Sequence, residues 1–86
     1  MNRLLIRGEP VGPFQHIYVF ENDKMVESIG IGIDDLEEIV FALVEKYNID
    51  HIDLSGARVY MKGIEDKITK AGLTQYNLSG LSFRYV

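Results

Sequence analysis

Residues 34–56 read DDLEEIVFALVEKYNIDHIDLSG, and this stretch decides the fold. In its first half, apolar residues recur at the spacing of one helix face, which predicts an amphipathic helix from about Asp34 to Tyr47. The second half, residues 51–54 followed by Ser55-Gly56, predicts a short strand with a glycine turn behind it. A helix that leads into such a strand is half of a crossover connection, so the flanking elements are expected to build one sheet around it.

The ends of the two predicted helices are marked by characteristic residues. Asp34, followed three residues later by Glu37, resembles a capping box, and carboxylates such as that of Glu38 favour the positive end of the helix dipole. We interpret this acidic group as helix-capping rather than metal-binding. A second helix is expected from about residue 57 to 71, with Gly72 as its left-handed terminating residue.

Alternating apolar residues predict four further strands. Between the first two, the segment Gly8–Pro13 holds two prolines and two glycines and cannot continue a ladder, so a loop is expected there. Asn22-Asp23 predicts a tight hairpin turn, since both residue types tolerate positive φ. A polar connection, Thr74–Gly80, leads to the last strand. These strands are predicted at Arg3–Arg7, His16–Phe20, Lys24–Gly30 and Leu81–Val86.

The resulting element order is β-β-β-α-β-α-β, in one domain that spans residues 1–86. A chain of this length has room for one modest core. Three antiparallel strands come first, and each later crossover is expected to be right-handed. The fold class predicted is therefore a two-layer α/β fold. Its mixed five-stranded sheet has the order 3-2-1-4-5, with two helices on one face.

This element order resembles the core of the ribonuclease H-like and actin-like ATPase superfolds. The resemblance covers nearly the whole chain. It is carried most specifically by residues 51–57, HIDLSGA, with Gly63-Ile64 in the next helix, which are similar to the strand–glycine–helix segment of actin-like ATPases. The resemblance implies a minimal ribonuclease H-like domain. Fold alone does not carry function, so the catalytic positions have to be considered separately.

Ribonuclease H-like nucleases hold two divalent metal ions on a set of acidic residues, one of which lies in the first strand. Here the first strand reads RLLIR and contains no acid. Asp53, with Glu37 or Glu38, is the remaining partial match, so a degenerate metal-dependent nuclease is the enzymatic alternative. The expectation is that the protein is not an enzyme, with no catalytic residues, no metal and no cofactor.

Composition limits the range of partners. The chain has a net charge of −4 and no cysteine, so disulfides and thiolate metal sites are excluded, and nonspecific attraction to nucleic acid or anionic membranes is disfavoured. No apolar run approaches the roughly 20 residues of a membrane span. The first residues are too short and too soon interrupted by charge for a signal peptide to be expected. A cytoplasmic location without membrane association is expected.

Alternation along the strands predicts which side chains point away from the helices. Tyr18 and Phe20 are costly to expose in so small a protein, and arginines with aromatics but without lysine are the composition of interface centres. Contiguous apolar patches usually mark binding sites. Asp53 is expected to be exposed on this surface. The surface, called the open face, is predicted to carry Arg3, Leu5, Arg7, His16, Tyr18, Phe20, His51, Asp53, Ser55 and Arg84.

The histidines of this surface have two interpretations. His16 or His51 could pair with Asp50 or Asp53 as zinc ligands, since imidazole and carboxylate suit that metal. Without a third or fourth ligand, however, ordinary surface histidines are the expected interpretation, and no metal site is predicted.

The leading functional hypothesis is a non-enzymatic interaction or assembly module. It would self-associate, most simply as a homodimer packed sheet against sheet, or bind a protein partner through the open face. The alternative is a single-stranded nucleic-acid or nucleotide-binding domain. In that case Tyr18 and Phe20 would stack on bases, with Arg3 and Arg7 beside them. The net charge disfavours this alternative. A phage or mobile-element origin is compatible with a small acidic domain of this kind.

Overall fold

In a computed structural model that describes residues 1–8, 14–76 and 80–86, five strands form one mixed sheet with two α-helices. The predicted loop Gly8–Pro13 and the predicted connection Thr74–Gly80 lie partly outside the described residues. Neither helix is long and apolar enough to cross a membrane, within the part of the chain that is described. The elements are β1 (Asn2–Gly8), β2 (Phe14–Glu21), β3 (Lys24–Gly32), α1 (Leu36–Tyr47), β4 (His51–Ser55), α2 (Arg58–Ala71) and β5 (Ser82–Tyr85).

The strand order is β3-β2-β1-β4-β5, as predicted. β2 pairs antiparallel with both β1 and β3, whereas β4 pairs parallel with both β1 and β5. Parallel neighbours cannot be joined by a tight turn, so α1 and α2 serve as the two crossovers. α1 carries the chain from β3 past β2 and β1 to β4, so β1 lies at the centre, between its antiparallel partner β2 and its parallel partner β4.

The core lies between the sheet and the two helices. Alternate residues of β1, β2 and β4 point into it, and both helices contribute to the same buried cluster, so the helices cover one face of the sheet. The apolar stripe predicted for α1 comprises Leu36, Ile39, Val40, Leu43, Val44 and Tyr47. Phe41 lies outside this stripe but is buried, whereas Ile39 and Tyr47 are only partly buried. The fully buried apolar strand residues are Leu4, Ile6, Ile17, Val19 and Ile52, and Leu54 is 1% exposed.

One buried polar contact ties α2 to the sheet. Gln15, at the start of β2, is fully buried on the helix side, and its Nε2 donates a hydrogen bond to the hydroxyl of Tyr60. The helical spacing of Tyr60 with Met61 and Ile64 predicts that all three face the sheet. Tyr60 is 37% exposed, because only the ring tip reaches inward.

The hairpin between β2 and β3 turns at the predicted place. Asn22 adopts a positive φ of 59°, while Asp23 does not. A register shift follows: Val19 pairs with Glu27 and Phe20 with Met25, so one extra residue of β3 lies between them. Such a bulge twists an edge strand, which hinders pairing with other chains.

The predicted capping box at the start of α1 is wrong. A 3₁₀ turn, Ile33–Asp35, precedes the helix and places Asp34 inside helical backbone rather than at its extended entrance. The residue at the helix entrance is Asp35, whose side chain makes no capping hydrogen bond. Glu37 instead lies 3.6 Å from Nζ of Lys67, where it forms an ion pair between the two helices.

The predicted left-handed end of α2 at Gly72 is also wrong. Gly72 has φ −62° and ψ −42°, and a π-helical turn continues through residues 72–76. The hydroxyl of Thr74 donates to the carbonyl oxygens of Lys70 at 3.0 Å and Ala71 at 3.1 Å. Because these terminal carbonyls already have a donor, the chain does not need a left-handed glycine to satisfy them.

The left-handed position lies at the end of the other helix. Asn48 closes α1 with φ 51° and ψ 55°, and its N–H donates to the carbonyl of Val44. Among residue types, asparagine is second to glycine in how readily it adopts this conformation. The conformation turns the chain directly from α1 toward β4.

Two substitutions at Asn48 should therefore distinguish the effect of backbone strain on stability from the effect of removing the asparagine side chain. Asn48→Val should lower the free energy of unfolding by roughly 1–2 kcal/mol, because a β-branched residue is strained at positive φ. Asn48→Gly should be neutral or slightly stabilising, since glycine adopts this backbone without a Cβ clash. Urea denaturation of the three proteins measures the difference. Equal stability of the valine and glycine variants would contradict this account.

Candidate functional site

The strand register arranges the open-face residues in rows that run across the sheet. Directly opposed residues of neighbouring strands point to the same side, so each row forms a line of side-chain contacts. The helices cover the other side, and no described helix packs on this one. The rows are Phe20-Arg3-His51-Ser82, Tyr18-Leu5-Asp53-Arg84 and His16-Arg7-Ser55.

Asp53 is the centre of the open face. Although it lies on the side of β4 without helices, only 2% of it is exposed. Its Oδ1 accepts hydrogen bonds from Nε of Arg84 at 3.0 Å and from Nε2 of His51 at 2.6 Å. Its Oδ2 accepts from Nη2 of Arg84 and from Nη1 of Arg3, each at 3.2 Å. Donors from three adjacent strands therefore occupy both carboxylate oxygens. These residues, with Ser82, are called the Asp53 cluster below.

The charge of Asp53 is favoured by this setting. Burial raises the pKa of its carboxyl, but the hydrogen bonds and charges of Arg84 and His51 outweigh burial, and the pKa lies below its ordinary value of 3.8. The carboxylate is thus ionised in the folded protein at neutral pH. Because the folded state favours the ionised carboxylate more than the unfolded chain does, ionised Asp53 stabilises the fold.

His51 extends the Asp53 cluster to the edge strand. A carboxylate only accepts, so Nε2 of His51 carries the hydrogen toward Asp53. Its Nδ1 lies 2.8 Å from Oγ of Ser82 on β5. In the neutral ring, Nδ1 accepts from the serine hydroxyl; in the protonated ring it donates, and the hydroxyl turns to the carbonyl of Asp50 at 3.4 Å. Either state keeps β4 and β5 joined by side chains.

Arg3 joins the Asp53 cluster to the aromatic part of the open face. Its guanidinium carbon lies 3.9 Å from the centroid of the Phe20 ring, which is a cation–π distance. The ring therefore holds one face of the guanidinium while Asp53 binds its edge. The arginine side chain remains 28% exposed.

Beyond the Asp53 cluster, the open face is aromatic and aliphatic. The rings of His16 and Tyr18 stack with centroids 6.5 Å apart and an interplanar angle of 24°. Tyr18 is paired across the ladder with Leu5, and both are half-buried by their neighbours. Arg7 is exposed at the far end of β1.

The sequence prediction of Asp53 as an exposed residue is wrong. Single-strand alternation gives the side of the sheet, but not what adjacent strands place over a side chain. Two arginines and a histidine cover the carboxylate here, and only the strand register reveals this. The prediction also missed Ser82, although its position two residues before Arg84 places both on one side of β5.

The remaining predicted open-face positions lie on one side of the sheet, but they do not form one constellation. His16 and His51 fall in different rows, so neither pairs with the other. Glu37 lies between the helices, on the opposite side of the sheet from Asp53, so the partial nuclease match is not brought together. Among the described residues, no group of three or more potential ligands could hold a metal ion.

The contacts of Ser82, His51 and Asp53 have the connectivity of a hydrolase relay. In such a relay the carboxylate orients the histidine, and the histidine activates the serine. Asp53 differs because it also accepts hydrogen bonds from two guanidinium groups. The geometry therefore fits a clamp across β1, β4 and β5, in which the cations are ordered by a shared carboxylate.

Comparison of the chain with models of protein families and with curated proteins finds no match. The ribonuclease H-like resemblance thus stays a prediction that rests on the order of the elements.

Asp53→Asn should lower the free energy of unfolding by about 1–3 kcal/mol at neutral pH, because it leaves adjacent guanidinium groups without their counter-charge. The stabilisation by Asp53 is present above its unfolded-state pKa of 3.8 and is lost as the pH falls through the lower folded-state pKa. The difference between wild type and variant should therefore shrink in acid. Denaturant titrations over a pH series measure it.

Asp66→Asn is the matched control. Asp66 also forms an ion pair, with Lys62 at 3.1 Å, but its side chain is exposed, so its replacement should change stability little. If both variants behaved alike, or if the loss at Asp53 were independent of pH, the Asp53 cluster would not be stabilised in the way described.

Proposed function

We propose that this protein is a small non-enzymatic interaction module that self-associates or binds a protein partner through its open face. The observation that carries the proposal is the composition of that face. Half-buried Leu5, Tyr18 and Phe20 lie beside arginines that are already held in place, on the side of the sheet without described helices. Aromatic residues and arginine are the residues most enriched at the centres of protein interfaces.

The fixed conformations of the arginine side chains support this function. A free arginine side chain loses rotamer freedom when it binds, which costs affinity. Arg3 is already fixed by Phe20 and Asp53, and Arg84 by two hydrogen bonds to Asp53. Part of the ordering cost is therefore met when the protein folds. Arg84 nevertheless keeps 62% of its side chain exposed and available to a partner.

We further propose that the chain is a minimal ribonuclease H-like domain. The sheet order β3-β2-β1-β4-β5 with two crossover helices supports this assignment. On this proposal the fold serves as a scaffold for the open face, since Glu37 and Asp53 do not meet at a shared site.

Single-stranded nucleic acid is the second candidate ligand, and the arginines of the open face favour it. Stacking platforms, however, need accessible aromatic rings. The guanidinium of Arg3 already occupies one face of the Phe20 ring, and the Tyr18 ring stacks against His16. The protein partner is therefore the better-supported proposal.

A peptide-display selection with the wild-type protein as bait tests this function. Selected peptides should lose binding to Tyr18→Glu, because the new carboxylate would be desolvated without a partner in the interface. Tyr18→Ala should weaken the same peptides less. Sedimentation velocity of the same proteins measures self-association through this face.

Val59→Glu is the control, since Val59 lies on α2, is 89% exposed and receives the same change of charge. Thermal unfolding confirms that each variant is folded. The proposal is contradicted if peptide binding and self-association are unaffected by both Tyr18 variants, or if Val59→Glu reduces them equally.

A further inference from the structure

We propose that the partner of the open face is an acidic protein segment, rather than a second copy of the chain. This inference rests on the proposed function, since it names the chemistry of the partner at the same surface. Its basis is the separation of charge between the two sides of the sheet.

Three of the four arginines of the chain lie on the open face, namely Arg3, Arg7 and Arg84. Asp53 is the one acidic residue that the described strands place there, because the other strand acids, Glu21 and Glu27, belong to the helix side by register. Among the described strand residues, three guanidinium groups and one carboxylate give this side of the sheet a net charge of +2. A protein with net charge −4 thus carries a cationic surface.

The negative charge of Asp53 is not accessible to a partner at this surface. Both of its oxygens are occupied and only 2% of the residue is exposed. The guanidinium groups around it are different. Arg84 uses Nε and Nη2 on Asp53 and keeps Nη1 for another acceptor, and Arg3 donates to Asp53 through Nη1 alone. Free donors in fixed positions suit carboxylates, which guanidinium binds in a bidentate manner.

The same charges act against a symmetric dimer of open faces. A two-fold contact places this cationic surface against an identical surface, so the arginines of one copy would face a surface of like charge. Like charges opposed in an interface cost affinity. The sheet-against-sheet homodimer is therefore the less favoured form of the proposed module.

Nucleic acid is also anionic, but two observations favour protein. The affinity of a protein for nucleic acid depends on many phosphate contacts. Outside the open face, a chain of net charge −4 repels such a polyanion. An acidic protein segment needs only a few carboxylates beside apolar side chains. The half-buried Leu5 and Tyr18 can contact those apolar side chains.

The test uses a fluorescein-labelled peptide of alternating glutamate and leucine, measured by fluorescence anisotropy with the full chain. A matched peptide with glutamine in place of glutamate, and a short oligothymidylate, are the two comparison probes. We expect the glutamate peptide to bind at least about tenfold more tightly than either, which corresponds to about 1.4 kcal/mol. Its affinity should fall as salt is added, because the charges are at the surface.

Arg7→Glu and Arg58→Glu provide the matched variants. Both residues are exposed, and both substitutions change the net charge equally, but Arg58 lies on α2. Arg7→Glu should weaken the glutamate peptide about tenfold, and Arg58→Glu should leave it nearly unchanged. Arg7 is the chosen position because it does not contact Asp53, and thermal unfolding checks that the variants are folded.

The inference is overturned if the glutamate and glutamine peptides bind alike, if Arg58→Glu is as damaging as Arg7→Glu, or if oligothymidylate binds more tightly. Self-association of the wild type that Tyr18→Glu abolishes would replace the acidic segment by a second copy. The proposed function would still hold if the two peptides bound alike, or if the protein self-associated, provided that Tyr18→Glu weakened the binding observed. Absence of that weakening is what would remove the proposed function itself.

Discussion

The ion-pair cluster at Asp53 is the constraint on which the arrangement of the open face depends. It spans β1, β4 and β5, the three strands that the two crossovers bring together. β5 has only four residues and lies at the edge of the sheet, so side-chain contacts from Arg84 and Ser82 add to a short backbone ladder. A buried ion pair pays its desolvation cost only when its remaining hydrogen-bonding sites are filled. Here both carboxylate oxygens are filled.

The same cluster orders the surface that we propose as functional. A carboxylate in the middle of the sheet face attracts guanidinium groups, and their positions are then set by the strands that carry them. Arg3 is fixed further by the Phe20 ring. A buried acid thereby produces an ordered cationic surface, because the acid is covered and the cations are not. On the proposed function, stability and recognition draw on the same few contacts in this small protein.

The sequence was sufficient for the strand order, the two helices and the side of the sheet on which the predicted residues of β1, β2 and β4 lie. These depend on apolar periodicity and on the handedness of crossovers, which are properties of one segment or of neighbouring segments. In β1, for example, alternation places Leu4 and Ile6 on the helix side of the sheet and Arg3 and Leu5 on the open face. The helix ends could not be predicted in the same way. The 3₁₀ turn before α1 and the hydroxyl of Thr74 after α2 each supply a local solution that competes with the expected caps.

The Asp53 cluster could not be predicted because it depends on register. Asp53 and Arg84 are 31 residues apart, and Asp53 and Arg3 are 50 apart, so no local pattern joins them. Register buries an acid that alternation alone predicts to be exposed, and it places three hydrogen-bonding partners around that acid. Counted residue by residue along the chain, the molecule is acidic. Counted by surface, the side without described helices is cationic, and it is the surface rather than the total that meets a partner at short range.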